Sequence, residues 1–134
     1  MSAPEDRKLL VEDKWWSKLP RKVYSQLQRV PVSQDWFEVY RCMEGVYAIY
    51  EPGQYEEALS TLVIGEEEAI LIDTGCGIGN IRKVVDEITD LPVMVVNTHA
   101  QNDNIAQNYI FDEIAMLDHP WTRKDKKGLP NSEM

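Results

Sequence analysis

Residues 95–104 read VVNTHAQNDN, and they hold the side chains in this chain best suited to gather a metal ion. An apolar run from Val93 to Val96 breaks into a polar stretch with one imidazole, His99, and one carboxylate, Asp103, among several amides. A loop leaving a buried strand can aim several side chains at one point, and imidazole with carboxylate suits zinc or iron. Two such donors are few, because a zinc site takes about three or four protein ligands. The same residues have a structural use. Asn102 or Asp103 can cap a helix that follows, while Asn97 and Thr98 can bond the loop backbone.

A second stretch, LIDTGCGIGN at 71–80, runs from a strand through Gly75, Gly77 and Gly79 toward a helix. Its Asp-x-Gly-x-Gly-x-Gly pattern resembles the first motif of Rossmann-type methyltransferases, whose glycines let backbone approach adenosylmethionine at a helix N-terminus. That fold opens on the motif and ends its next strand with an acidic residue. Here three strand-like segments come first and PVMVVN ends in Asn97. A tight structural turn is therefore expected, with a nucleotide-type cofactor bound through Gly75–Gly79 as the lesser alternative. Cys76 has no nameable basic partner to activate it and is expected to pack as a small residue.

The elements around these stretches follow from periodicity and turn signals. WFEVYRC, GVYAIYE, LSTLVIG and AILIDTG are rich in β-branched and aromatic residues and read as an antiparallel meander. GIGNIRKVVDEITDLP then places Ile81, Val84, Val85 and Ile88 on one side of a helix that ends before Pro92. A strand PVMVV, the polar loop, a short helix through Ile105, Tyr109 and Ile110, and a last strand EIAML complete a β-α-β-α-β run. The result is an α/β domain with a mixed sheet. ILI and VMVV are continuous apolar runs, which predicts strands covered on both faces. Residues 1–34 read as a helical arm, with LLVEDKWWSKLP and RKVYSQLQRV as amphipathic segments stopped by Pro20 and Pro31. Residues 35–121 form the domain, and 122–134, charged and poor in apolar residues, read as a flexible tail.

Charge and composition narrow the function. The chain has 134 residues, 43% of them apolar, which is one domain with a real core. Its 14 basic against 23 acidic side chains give −9, which argues against nucleic-acid partners and anionic membrane surfaces. Two cysteines without a short-spaced partner, Cys42 and Cys76, fit a reducing cytoplasm rather than a disulfide framework. The charged start lacks the apolar core of a signal peptide, and no apolar run reaches the ~18–20 residues that span a bilayer.

The order of landmarks resembles the metallo-β-lactamase superfamily: VYAIYEPG, then STLVIGEEEAILIDTG, then VVNTH and NYIFDEI, over about residues 36–119. The resemblance implies half of an αββα sandwich and a metal motif, His-x-His-x-Asp-His, at the end of the VVNTH strand. In that family two metals activate water and polarise a lactam, lactone, thioester or phosphoester. On this chain the motif becomes His99-Ala100-Gln101-Asn102-Asp103-Asn104. His99 and Asp103 keep ligand positions, while Gln101 and Asn104 stand where the family has histidines. Each metal would retain one ligand from the motif, and the family's remaining ligands come from a second half absent here. His119, in DHPW, comes too early to supply one and reads as a loop residue; Asp73 and Asp118 read as caps or backbone partners.

The expectation is thus a degenerate metal site in a catalytically impaired protein that acts by binding or self-assembly, with no cofactor. The alternative is a hydrolase holding zinc, iron or manganese between His99 and Asp103 of two chains. A half-sandwich leaves one sheet face bare, which predicts a homodimer through that face, with a monomer covered by its Trp-rich N-terminal arm as the alternative.

Overall fold

The computed structural model describes residues 19–54 and 56–128. Seven strands form one sheet among these residues, in chain order: β1 Gln28–Val30, β2 Glu38–Met43, β3 Val46–Tyr50, β4 Leu59–Ile64, β5 Ala69–Ile72, β6 Val93–Val96 and β7 Glu113–Ala115. Neighbours from β1 to β5 are antiparallel, and β5, β6 and β7 are parallel. The short connections at 44–45 and 65–68 permit the first pattern. Gly45, at φ 71, accepts from the Ile64 amide and holds the β2–β3 turn against β4. The parallel strands need crossovers. Helix α1, Ile81–Ile88, supplies one, and a short helix α2, Asn102–Ile105, with a 3-10 turn at Asn108–Ile110 supplies the other.

The sheet has two unequal faces. On one, Val39, Ile49, Leu62, Leu71 and Val95 pack with Ile81, Val84 and Val85 of α1 and with Phe37 and Phe111. The spacing of the three α1 residues puts them on one helical stripe. The opposite face is covered only in part. Tyr24 lies against Tyr40 and Tyr50 at ring-centroid distances of 5.9 and 5.0 Å. Farther along, Thr61, Ile70, Ile72, Met94 and Val96 are half-buried, while Leu59 and Val63 are 46% and 37% exposed. Among the described residues ILI and VMVV are fully covered on one face only: Leu71 and Val95 are enclosed and their strand neighbours are half-buried.

Both ends of the domain differ from the helical arm and flexible tail read in the sequence. RKVYSQLQRV is not a helix; Lys22–Gln26 make a 3-10 turn and Gln28–Val30 become β1. Pairing with the free edge of β2, Arg29 opposite Tyr40, overrides a weak helical propensity. Residues beyond Trp121 are not all tail. Helix α3, Pro120–Asp125, runs into Gly128, which sits against the Ile105 and Ala106 carbonyls. Residues 1–18, including LLVEDKWW, and the last six residues lie outside the described residues. Among those described, no helix is long and apolar enough to cross a membrane.

Candidate functional site

The polar loop follows β6, and Asp73 follows β5, so both stand at the C-terminal ends of parallel strands, where open α/β sheets form clefts. Asp73 organises the loop. Buried and at φ 66, its Oδ1 accepts from the Thr98 amide at 2.8 Å and its Oδ2 from the Thr98 hydroxyl at 2.7 Å. That hydroxyl has a single proton, and the carboxylate takes it. Toward His99 the Thr98 oxygen can then only accept, so the His99 Nδ1, 2.8 Å away, carries a proton and donates. The ring's Nε2 lies 2.8 Å from the Gln101 Oε1 and 3.0 Å from the Asn104 amide nitrogen, so it donates to the first or accepts from the second.

The side chains of Gln101 and Asn104 thus close on the His99 imidazole. Gln101 is the N-cap residue of α2 but caps nothing with its side chain, and the caps expected from Asn102 or Asp103 are absent because both lie inside the helix. Asn97 bonds the loop as expected, its amide donating to the Asn104 carbonyl at 3.3 Å. It also belongs to a buried amide cluster: Asn108 donates to Asn97 Oδ1 at 2.7 Å and to the Lys126 carbonyl, and accepts from Thr74 at 2.9 Å. Asn108 is wholly enclosed. The cluster ties β5, β6 and the segment after α3 behind the loop.

The donor set does not fit a zinc pair. Two neutral amides, Gln101 and Asn104, lie within hydrogen-bond distance of the His99 Nε2, and zinc or iron binds amide oxygen poorly. Among the described residues no group of three or more His, Cys, Asp and Glu is placed to hold a metal ion. His119 shares a cavity of about 340 Å³ with His99, Gln101, Leu117 and Trp121. Its Nδ1, however, accepts from the Trp121 amide at 3.2 Å, and Thr122 completes a capping box at the start of α3. Asp118 pairs with Arg123, which holds its carboxyl below the usual range.

The glycine-rich turn is filled from within. Gly75, at φ 76, leaves room for the Glu51 carboxylate; a Cβ there would meet its Oε2. Glu51, 1% exposed, accepts from the Trp36 indole at 2.6 Å and from the Cys76 amide and thiol at 3.2 and 3.0 Å. Burial raises its pKa, and burial together with Glu51 pushes the Cys76 thiol up to about 12. Cys76 is consequently a packed thiol with almost no thiolate at neutral pH. The start of α1 is occupied as well: the amides of Asn80, Ile81 and Lys83 donate to Gln34, Gln107 and Asn80 side chains at 2.9, 2.7 and 3.1 Å. Those are the donors a phosphate would need. The sequence reading missed Glu51, whose only signal is a carboxylate ending an apolar strand before Pro-Gly.

The geometry defines an α/β protein with one layer of helix on a mixed sheet and a polar loop at the ends of its parallel strands. Its fold is that of one half of a metallo-β-lactamase. The metallo-β-lactamase from Pontibacter korlensis matches at a TM-score of 0.53 and 22% identity, over 71% of this chain and 51% of that one. The enzyme from Erythrobacter litoralis, with β-mercaptoethanol in its active site, matches at 0.52 and 20%, over 77% and 50%. FIM-1 from Pseudomonas aeruginosa, in its mono-zinc form, matches at 0.54 and 17%, over 78% and 50%. The chain spans about half the length of these proteins. No protein-family model and no curated protein matches it.

Proposed function

We propose that this chain is a non-hydrolytic relative of the metallo-β-lactamases, in which hydrogen bonds among amides hold the loop that carries the metal motif in that family. It acts by binding or by self-assembly, and the open sheet face is its binding surface, with a second copy of the chain as partner. The observation that supports this reading is the state of His99. Its Nδ1 donates to Thr98, and its Nε2 is closed off by Asn104 and Gln101. The competing arrangement, one metal between His99 and Asp103 of two chains, would have to break those bonds in both.

Metal content per chain, measured by elemental mass spectrometry after incubation with zinc, manganese and iron, is expected to be near zero. One half to one metal per chain would overturn the reading in favour of the shared site. The double variant Gln101→His with Asn104→His is expected to bind zinc at least about tenfold more tightly than the native chain, since it returns two imidazoles to the loop. No gain would show that the loop conformation, and not its amides alone, excludes the metal.

A further inference from the structure

Two adjoining hollows beside the polar loop share a wall, and neither the loop's own bonds nor the open sheet face accounts for them. The first, of about 340 Å³, is apolar where Met116, Leu117 and Trp121 line it. The second, of about 420 Å³, is lined by the carboxylates of Glu56, Asp103 and Asp125. Ala100, Gln101 and Trp121 belong to both. Trp121 is 65% exposed and Leu117 77%, so ring and methyl surface that the fold has not used faces this space. No lysine or arginine lines either hollow.

Charge decides what suits the site. Asp103 and Asp125 are half-buried, and among the described residues neither carboxylate has a hydrogen bond or an ion pair. Asp125 also ends α3, where free carbonyls disfavour an anion and favour a cation. The Glu56 carboxylate takes only the neutral Gln54 amide, at 3.3 Å. Among the described residues no three such groups are placed to hold a metal ion, so a cation they attract together is larger than an atom. An indole face adds the same preference, since it draws a cation within about 6 Å of its centroid. The net charge of −9 draws cations toward the chain as a whole. The apolar hollow is at the small end of the roughly 300–1,000 Å³ range of ligand sites, which suits one ring with short substituents.

We propose that the two hollows form one binding site for a small organic ammonium ion with an aromatic body. The body lies in the apolar hollow against Leu117 and Trp121, and the ammonium group lies at the Trp121 wall, facing Asp103, Asp125 and Glu56. A lysine of another protein is a poorer occupant, because its stem has no ring to stack on the indole. The site goes beyond the metal-free reading and uses none of the side chains named on the open sheet face, so a second copy of the chain can sit on that face at the same time.

The test is a titration of the full chain with benzyltrimethylammonium, followed through the indole and backbone N–H signals by nuclear magnetic resonance. Chelator is present throughout, so a failure here is distinct from a failure of the metal-free reading. The expected result is saturable binding with a Kd of about 1 mM or below. The shifts should centre on the Trp121 indole and the amides of Ala100, Gln101 and Asp103. Benzyl alcohol, which has the ring without the charge, and n-butylammonium, which has the chemistry of a protein lysine, are each expected to bind at least about tenfold more weakly. Trp121→Ala, and separately Asp103→Asn with Asp125→Asn, should each weaken the cation by about five- to tenfold. Preserved dispersion of the other N–H signals checks that the variants fold. No saturable shift below about 10 mM would overturn the proposal. Equal affinity for benzyl alcohol would remove the role of charge, and equal affinity for n-butylammonium would hand the site to a lysine; each overturns it. So would folded variants that bind as the native chain does.

Discussion

Glu51 shows how a single residue can organise a turn without leaving a mark in the sequence. Its partners Trp36 and Cys76 stand 15 and 25 residues away, and nothing in VYAIYEPG announces that the carboxylate turns inward. His99 and Asp103, in contrast, stand out in the sequence because their types and spacing match the motif that the resemblance implies. What the sequence did not contain was the direction of the amides: Gln101 and Asn104 could face solvent, a helix end or the imidazole, and only packing decides. Burial raises the Glu51 pKa above its ordinary value of 4.5. The native state therefore binds this proton more tightly than the unfolded state. Stability from this group is complete below the ordinary value and is lost as pH rises through the raised one. Glu51→Gln is expected to remove that slope. In denaturant unfolding between about pH 4 and 8, the stability difference between the variant and the native chain should shift in the variant's favour with rising pH. A difference that stays flat would mean Glu51 titrates normally.

At the scale of elements, periodicity carried most of the fold. The five strands from β2 to β6 and α1 were readable because each has its own alternation or stripe and ends in a turn signal. The errors lie where an element depends on a neighbour. β1 exists because β2 offers a free edge, and α3 exists because His119 and Thr122 cap it and Gly128 seats on the Ile105 and Ala106 carbonyls. Within ILI the burial alternates, Leu71 enclosed and Ile70 and Ile72 half-buried, so a continuous apolar run does not mean equal packing on both sides. Strand β5 provides the test. Leu71→Ala, on the helix-covered side and fully buried, is expected to cost about 2–5 kcal/mol in denaturant unfolding. Ile70→Ala, on the half-buried side of the same strand, should cost clearly less, because fewer neighbours are lost and the site can relax. Equal losses would show that the second face is as tightly packed as the first.

At the largest scale the described residues form half a sandwich and the chain carries a large negative charge, and the two properties act on stability together. The half-fold was recognisable in the sequence because its landmarks fall in order along the chain. How far the second face stays open was not, because that depends on what packs against it in three dimensions. With −9 on 134 residues, the compact state brings like charges together that the unfolded chain keeps apart. The visible ion pairs do little against this. Arg29–Glu38, Arg82–Asp86 and Arg123–Asp118 involve exposed or half-exposed partners, and such pairs contribute about 0–1 kcal/mol each. Salt weakens both the repulsion and the pairs, so the sign of its effect reports which is larger. At about 0.1 M salt the screening length falls to about 10 Å, shorter than most separations across the domain but longer than a contact pair. Long-range repulsion is therefore screened first. The melting temperature is expected to rise by a few degrees between about 20 mM and 300 mM sodium chloride. A fall over that range would place the ion pairs, Arg21–Glu57 foremost, ahead of net charge in holding the half-sandwich together.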